Sequence, residues 1–263
     1  MTDRLMHDLA SGKLEEALAE VAEAAARVIL PYWRSGTVAT AKADQSPVTQ
    51  ADQEAETLIL SLLKGLYPDV AAVAEEHSEA HGFPPVPAGP YWMIDPLDGT
   101  RGFVAGKESF TVNIALIDGD RPVAGVISTP ATGLTWRSGH ADGRRAAFRR
   151  RFGEGWSEIR VRDRPAQGTA LLSHSLKDED AVRLASRHGC DRWEGMDSSL
   201  KFCLIAEGRF DAYPRIGPTR EWDTAAGQAI LEAAGGRVLA EDGRPLAYGK
   251  PEFLNAGFVA LGG

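Results

Sequence analysis

Cysteine is scarce in this sequence: only Cys190 and Cys203 occur among its 263 residues. Two thiols in otherwise ordinary segments give no basis for a disulfide framework, so a reduced, cytoplasmic setting is the economical expectation. The polar N-terminal segment from Met1 to Ala10 shows no signal-peptide pattern. No run of residues approaches the roughly 18 apolar positions that a membrane-spanning helix needs.

Positive charge is also in deficit. Lysine and arginine total 29 against 37 aspartates and glutamates, which gives a formal net charge of −8. This balance argues against a general nucleic-acid or membrane-surface binder. An anionic substrate must therefore be attracted locally, by metal ions or by clustered basic side chains. Because 43% of the 263 residues are hydrophobic, the chain can bury a substantial core as one large domain or two ordinary ones.

The most informative segment runs from Trp92 to Arg101. It begins as a predicted buried strand and ends in Asp95 and Asp98, which a proline-containing turn can point at one small volume. Two close carboxylates repel each other unless a cation lies between them, and hard oxygen ligands suit Mg²⁺. Gly99 and Thr100 follow at a predicted helix N-terminus, where backbone N–H groups favour a phosphate. Taken alone, this segment is more typical of an ordinary turn than of a metal site.

Three further acidic residues stand near predicted strand or helix ends. Glu75 follows the apolar segment from Val70 to Ala74, Asp223 opens a helix, and Asp52 lies in the first turn of another helix. Each has an ordinary explanation by itself: a solvated glutamate, an N-cap and a helix-dipole contact, respectively. Together with the two aspartates after the buried strand, Glu75 and Asp223 supply four carboxylates to one cleft, enough for two or three Mg²⁺ ions.

Hydrophobic periodicity predicts two halves with different element order. The first half contains helices from Leu14 to Trp33 and from Thr49 to Leu66, then strands that include a hairpin from Phe110 to Ser128. In the second half, strands alternate with helices, which predicts a smaller α/β unit. Its predicted elements are a strand at Thr169–Ser173, helices at Asp178–Arg187 and Leu200–Glu207, a strand at Phe210–Tyr213, a helix at Trp222–Ala234, and strands at Arg237–Leu239 and Gly257–Ala260.

The predicted boundary between the halves is polar and rich in arginine. The N-terminal domain is expected at residues 1–140, where it carries most metal ligands, and the C-terminal domain at residues 156–263. Residues 141–155 are expected to be a linker or loop. A solvated loop is favoured for the arginines from Arg144 to Arg151, and the alternative is a basic cluster near an anionic substrate.

Several of these segments together resemble the inositol monophosphatase superfamily of Mg²⁺-dependent, Li⁺-sensitive phosphatases. The resemblance lies in Asp95–Thr100, in Glu75-Glu76, in the Val-Thr-x-x-Asp pattern that ends at Asp52, and in Trp222-Asp223 with Ala225-Ala226. These motifs cover nearly the whole chain in the same order and are specific in combination. They imply a layered α-β-α-β-α sandwich of mixed α+β and α/β character, with an N-terminal antiparallel sheet and its helices stacked on a smaller C-terminal α/β sheet.

Within this superfamily, other segments are similar to bacterial 3′(2′),5′-bisphosphate nucleotidases of the CysQ type. These segments are Lys42–Asp44 with Ser46–Thr49, Phe110–Asn113, Asp197–Cys203, Tyr213–Thr219 and Glu221–Gly227. The departures from that pattern are Gly102 in place of an acid, Asp197 in place of a glycine, His174 and Leu176 in a segment that is often Ser-Arg-Ser-His, and Arg220 in place of a methionine. The first three departures spare the metal residues and bear on the nucleotide contacts.

The resemblance implies a role for each residue of the site. The implied metal ligands are Glu75, Asp95, Asp98, Asp223 and the Leu97 carbonyl. The implied catalytic residues are Glu75, which orients the attacking water, and Thr100, which is held by Asp52 and helps take up the proton of that water. The implied substrate-binding residues are Leu97, Asp98, Gly99, Thr100, Asp223, Lys201 and Arg215. For Lys201 and Arg215 the alternative is ordinary surface charge; for Lys42, which could move over the phosphate, an exposed lysine is favoured.

The function implied by the resemblance is removal of the 3′-phosphate from adenosine 3′,5′-bisphosphate, and from its sulfated relative, with a link to sulfur assimilation. A phosphatase of the same superfamily that acts on inositol, histidinol or sugar phosphates is the first alternative. A non-catalytic metal-dependent binding protein is the second. The expected partner is a small phosphate ester and not a nucleic acid. The protein itself is expected to be a monomer or a homodimer.

Overall fold

The computed structural model describes residues 2–36, 40–41, 47–174 and 176–263. Its helices are α1 Thr2–Ala10, α2 Lys13–Ser35, α3 Gln50–Leu66, α4 Glu75–His81, α5 Thr100–Val104, α6 Asp178–Arg187, α7 Leu200–Ala206 and α8 Ala225–Ala233, with 3₁₀ turns at Glu221–Asp223 and Pro251–Phe253. Its strands are β1 Thr40–Ala41, β2 Pro47–Val48, β3 Ala71–Ala74, β4 Tyr91–Asp98, β5 Thr111–Asp118, β6 Arg121–Thr129, β7 Leu134–Ala141, β8 Arg144–Arg151, β9 Ser157–Ile159, β10 Gly168–Leu172, β11 Cys190–Gly195, β12 Ala212–Arg215, β13 Thr219–Arg220, β14 Arg237–Ala240, β15 Leu254–Asn255 and β16 Phe258–Leu261.

The larger sheet has seven strands in the order β3-β4-β5-β6-β7-β8-β9. Strand β3 runs parallel to β4, and every later neighbouring pair is antiparallel. The predicted hairpin is present as β5 and β6, which pair from Asp118↔Arg121 outward. The central strands are buried along nearly their whole length because helices cover both faces of the sheet, and such strands read as continuous apolar runs.

Helices α2 and α3 cover one face of the larger sheet. In α2, the predicted apolar stripe that includes Leu14, Leu18 and Ile29 is fully buried. Helix α3 starts at a capping box in which Thr49 and Asp52 exchange side-chain and backbone hydrogen bonds. The predicted N-terminal helices are therefore confirmed, and the second one fixes the position of Asp52.

The smaller sheet has five strands in the order β11-β10-β12-β16-β14, with β16 antiparallel to both of its neighbours. Helices α7 and α8 lie between the two sheets, and α6 packs on the outer face of the smaller sheet. The layers are thus α2/α3, the larger sheet, α7/α8, the smaller sheet and α6. This order confirms the predicted layered α/β sandwich.

Residues 141–155 form a strand hairpin rather than the expected linker or loop. Strand β8 pairs along its whole length with β7, and β9 then pairs with β8, so the larger sheet continues to Ile159. The arginines of β8 are held by acids that are distant in sequence: Arg150 contacts Glu16, Glu20 and Glu23 on α2, and Arg149 contacts Glu207. These pairings explain why so basic a segment is ordered. The two domain boundaries themselves stay a prediction.

Both cysteines are buried and unpaired with each other. Within the described ranges, no helix combines the length and the apolar character that crossing a membrane requires.

Candidate active site

Sheet register brings the first two acidic segments together. Strand β3 runs parallel to β4 with Ala74 opposite Ile94, so the next residues stand side by side: Glu75, which begins α4, and Asp95, which continues β4 opposite Asn113 of β5. The carboxyls of these two residues are close enough to share a hydrogen bond. A register irregularity follows in β4 before Asp98. This bulge redirects the chain and turns the second aspartate toward the first.

Asp223 arrives from the other half of the chain. The predicted helix from Trp222 to Ala234 is divided: a 3₁₀ turn ends at Asp223 and α8 begins two residues later. The backbone N–H of Arg220 donates to Asp223 Oδ2 at 2.8 Å and fixes the carboxylate ahead of the helix. One oxygen from each of Asp95, Asp98 and Asp223 lies within 4.8 Å of the other two. The structure therefore brings these three predicted ligands together, with Glu75 beside them.

The electrostatics of this cluster favour a cation. Burial raises the pKa of Asp95 well above its ordinary value, and the charges of Glu75, Asp98 and Asp223 raise it further. Burial also raises the pKa of Asp98 and of Asp223. Close buried carboxylates that resist ionisation are stabilised when a divalent ion shares them, and an all-oxygen donor set suits Mg²⁺. The chemistry of the donors thus fits the expected metal, while the number of ions stays a prediction.

The predicted contact between Thr100 and Asp52 is present. Thr100 Oγ1 lies 3.3 Å from Asp52 Oδ1 and 3.0 Å from the carbonyl oxygen of Leu97. Asp52 is fully buried and is held through its other oxygen by the backbone N–H and hydroxyl of Thr49. The Leu97 backbone N–H in turn donates to Asp95 Oδ1 at 3.0 Å. The threonine hydroxyl therefore sits between a buried carboxylate and a carbonyl of the acidic turn.

Position 99 requires the backbone conformational freedom of glycine. Its φ of 89° lies in the left-handed region, and an added Cβ would come within 3.3 Å of the Ser198 Cβ. Helix α5 begins at the next residue, Thr100. Both residues line the same cleft as the acidic cluster. The turn thus presents bare backbone to the cleft, as the sequence predicts.

A cleft of about 780 Å³ opens from the acidic cluster. Both predicted nucleotide-binding cations, Lys201 and Arg215, line it. The Lys201 ammonium group is almost fully buried, and it donates to the carbonyl oxygens of Met196 and Ser198 at 3.2 and 2.6 Å. Burial lowers the pKa of Lys201 to about 8. The Arg215 guanidinium contacts the carbonyl oxygens of Gly217 and Pro218 at 3.3 and 3.4 Å.

Sequence reasoning missed the group that holds Asp98. The backbone N–H of Ser199 donates to Asp98 Oδ2 at 2.5 Å, across the boundary between the two halves. The Ser199 hydroxyl donates to Asn113 Oδ1 at 2.7 Å and lies 2.8 Å from the Thr111 hydroxyl. Both segments belong to the motifs of the resemblance, but their mutual contact spans 86 to 101 positions and leaves no local pattern in the sequence.

Three of the sequence departures also have defined positions. Asp197 lines the cleft and pairs with Lys107 and His174, neither of which the sequence marked as a partner. Leu176 packs against the outer core of the smaller sheet. Lys42 lies outside the described residues. None of the β8 arginines is among the described residues that line the cleft.

Comparison with known protein families gives one match over most of the chain. Residues 12–259 match the model of the inositol monophosphatase family. The chain is 41% identical over 227 residues to the 3′(2′),5′-bisphosphate nucleotidase CysQ of Escherichia coli K12, covering 82% of this chain and 86% of that protein. It is 34% identical over 255 residues to the CysQ of Buchnera aphidicola, covering 94% and 93% of the two chains.

Solved structures give the same result. The crystal structure of CysQ from Bacteroides thetaiotaomicron, a bacterial member of the inositol monophosphatase family, matches with a TM-score of 0.75 at 31% identity. The match covers 95% of this chain and 97% of that one. An inositol monophosphatase from Zymomonas mobilis matches with a TM-score of 0.73 at 27% identity, over 94% and 91% of the two chains.

Proposed function

Because this chain belongs to the inositol monophosphatase family, we propose that it is a Mg²⁺-dependent phosphomonoesterase that removes the 3′-phosphate of adenosine 3′,5′-bisphosphate. The observation that carries the proposal is the convergence of Asp95, Asp98 and Asp223 at the end of a cleft large enough for a nucleotide. The identity to bacterial CysQ proteins supports the nucleotide as substrate. The sulfated relative of that nucleotide, which carries the same 3′-phosphate, is the second substrate of this proposal.

The metal ligands of this proposal are Glu75, Asp95, Asp98, Asp223 and the carbonyl of Leu97. Mg²⁺ held there supplies positive charge that acidifies water and offsets the charge that builds up on phosphoryl oxygens. Gly99 and Thr100 line the same cleft, and in this proposal their backbone N–H groups bind the phosphoryl oxygens. Asp223, which lies on the C-terminal side of the cleft, is placed beside the leaving-group oxygen.

Thr100 and Asp52 act on the proton of the attacking water. Thr100 has one hydroxyl proton, which it donates to Asp52 or to the Leu97 carbonyl. Its remaining lone pair therefore accepts a hydrogen bond from water, which orients that water toward the phosphorus. Asp52, buried and next in line, draws the proton away through the threonine hydroxyl. Glu75 orients the water from the opposite acidic segment.

Arg215 binds the second phosphate or the ribose in this proposal. Among the described residues, no carboxylate forms an ion pair with it, and its two contacts to carbonyl oxygens are long. The guanidinium is thus available for a bidentate contact with an anion. Lys201 adds positive charge at the wall of the cleft, and backbone carbonyls occupy two of its three donors.

A substrate panel tests the proposal. Phosphate release is measured from adenosine 3′,5′-bisphosphate, inositol 1-phosphate, histidinol phosphate and fructose 1,6-bisphosphate, with Mg²⁺ and with added Li⁺. We expect the nucleotide to have the highest kcat/KM and Li⁺ to inhibit. If another ester exceeds the nucleotide by about tenfold, or about 1.4 kcal/mol of transition-state binding, the nucleotidase assignment fails. Absence of turnover with every ester would instead indicate a metal-dependent binding protein.

A further inference from the structure

Three polar side chains from separate segments meet on one wall of the cleft. Lys107 follows α5, His174 follows β10, and Asp197 precedes α7. Lys107 Nζ lies 2.8 Å from Asp197 Oδ2, and His174 Nδ1 lies 3.2 Å from Asp197 Oδ1. All three residues line the cleft that opens from the acidic cluster. The aspartate therefore joins the two halves of the chain at the substrate wall.

Asp197 is fixed in position, but its carboxylate can still accept further hydrogen bonds. Lys201 donates to the carbonyls of Met196 and Ser198, the residues on either side of Asp197, and so fixes its backbone. Burial raises the pKa of Asp197, but the hydrogen bonds of Lys107 and His174 outweigh it and lower that pKa overall. The side chain remains 26% exposed. A carboxylate offers about four lone-pair positions, so this one still has acceptors that face the cleft.

Gly102 is part of the same arrangement. An added Cβ at this position would lie 3.7 Å from the Lys107 side chain and 3.8 Å from Asp197 Oδ2. An acidic side chain there would compete with Asp197 for the Lys107 ammonium group. Because position 102 has no side chain, Lys107 pairs with the aspartate of the other half of the chain.

The charges on this wall differ from those around Arg215. Lys107 and His174 are both engaged by a carboxylate, whereas Arg215 contacts only backbone carbonyls among its described partners. A second phosphate beside Asp197 would meet an ionised carboxylate and be repelled, whereas beside Arg215 it would meet a free cation. A neutral hydroxyl or amino group has the opposite preference, because a carboxylate accepts its hydrogen bond.

We propose that Asp197 is a specificity-determining residue that accepts a hydrogen bond from a hydroxyl or amino donor of the substrate and keeps the second phosphate on Arg215. This inference rests on the proposed nucleotidase function. Adenosine 3′,5′-bisphosphate has two neutral hydrogen-bond donors that could contact this carboxylate: the ribose 2′-hydroxyl and the adenine amino group. The 2′-deoxy analogue and the inosine analogue each remove one of them.

The test combines Asp197→Ala with these two analogues. Wild-type protein is expected to lose about tenfold in kcat/KM on one analogue, mainly through KM. Asp197→Ala should lose a similar factor on the parent nucleotide and no longer distinguish it from that analogue. In this variant the Lys107 ammonium group is no longer paired with the carboxylate, so the preference for the bisphosphate over adenosine 3′-monophosphate should rise several-fold. Asp197→Leu, which is of similar size but has no hydrogen-bond acceptor, serves as a second variant if the alanine variant is unstable.

The exposed Asp178→Ala substitution on α6 is the matched control and should behave like wild type. If Asp197→Ala and Asp197→Leu, which both lack the acceptor, keep the wild-type discrimination against both analogues, the role assigned to Asp197 is wrong. The same conclusion follows if wild-type protein does not distinguish either analogue from the parent. These outcomes leave the nucleotidase function intact, whereas a wild-type preference for a different ester in the substrate panel overturns both proposals.

Discussion

At the scale of single residues, buried carboxylates in this protein differ in the hydrogen bonds that they accept. Glu221 is fully buried and accepts the backbone N–H groups of Gly249 and Lys250 as well as the Lys250 ammonium group. Glu15 on α2 is equally buried, yet its Oε2 has no hydrogen-bond partner among the described residues. Burial raises the pKa of Glu15 to about 7, against the opposing charges of Arg137 and Arg145. An unsatisfied buried acid destabilises the fold when it ionises.

Stability should therefore fall with pH because of Glu15. Between its ordinary pKa of 4.5 and about 7, the folded state holds a proton that the unfolded state has lost, so the free energy of unfolding decreases as pH rises. The decrease is about 3 kcal/mol at most. Glu15→Gln should remove it, so urea unfolding at pH 5 and pH 8 should give a smaller difference for this variant than for wild type. The exposed Glu154→Gln serves as control, and equal pH dependence in all three proteins would contradict the prediction.

At the scale of elements, close contact between β6 and α8 positions Asp223. A Cβ added at Gly125 on β6 would come within 2.6 Å of the Ala226 carbonyl oxygen and 2.8 Å of the Ala229 Cβ. The helix thus lies directly on the strand only because this residue lacks a side chain. Asp223 lies two residues before α8, so the geometry of the candidate metal cluster depends on this helix–sheet distance.

Gly125→Ala should move the helix away from the sheet. We expect a loss of about 1–3 kcal/mol in the free energy of unfolding, the usual effect of overpacking, and a higher Mg²⁺ concentration for half-maximal activity. Gly65→Ala is the matched control, since this glycine in α3 has open space around it and alanine should stabilise the helix by about 0.5–1 kcal/mol. Denaturant titration measures the first effect and Mg²⁺ titration the second. A Gly125→Ala variant with unchanged values for both would show that the contact does not set the site.

The elements that sequence could predict are those with a local signal. Helices α2 and α3 and the hairpin of β5 and β6 follow from apolar spacing and turn residues. Strand β8 has no such signal, because its arginines stand on both faces and pair with acids elsewhere in the chain: Arg150 with Glu16, Glu20 and Glu23 on the distant helix α2, and Arg149 with Glu207. The same reason applies at the site: Asp95 and Asp98 are visible as a turn motif, whereas the contact of Ser199 with Asp98 depends on tertiary structure alone.

At the scale of the whole molecule, the candidate metal cluster joins the two halves of the chain. Asp95 and Asp98 extend from the larger sheet, and Asp223 from the turn before α8, which lies between the sheets. Repulsion among their carboxylates opposes the folded state when no cation is bound. A bound divalent cation attracts all three carboxylates, so the cluster then stabilises the folded state. Metal affinity and global stability should therefore be coupled through the same three side chains.

The Asp95→Asn variant separates the effect of carboxylate repulsion on stability from the effect of metal binding. The variant removes one repelled, buried charge but keeps an acceptor for the Leu97 N–H, so without Mg²⁺ it should unfold at a higher temperature than wild type. At a Mg²⁺ concentration of about 100 times Kd, wild type should gain about 2.7 kcal/mol and the variant much less, so the order of stability reverses. Turnover should fall by at least about a thousandfold, or about 4 kcal/mol. Thermal unfolding with EDTA and with Mg²⁺, followed by activity measurements on the same samples, checks all three expectations. Near-normal turnover by the variant, or a Mg²⁺ response equal to that of wild type, would refute the assignment of Asp95 as a metal ligand.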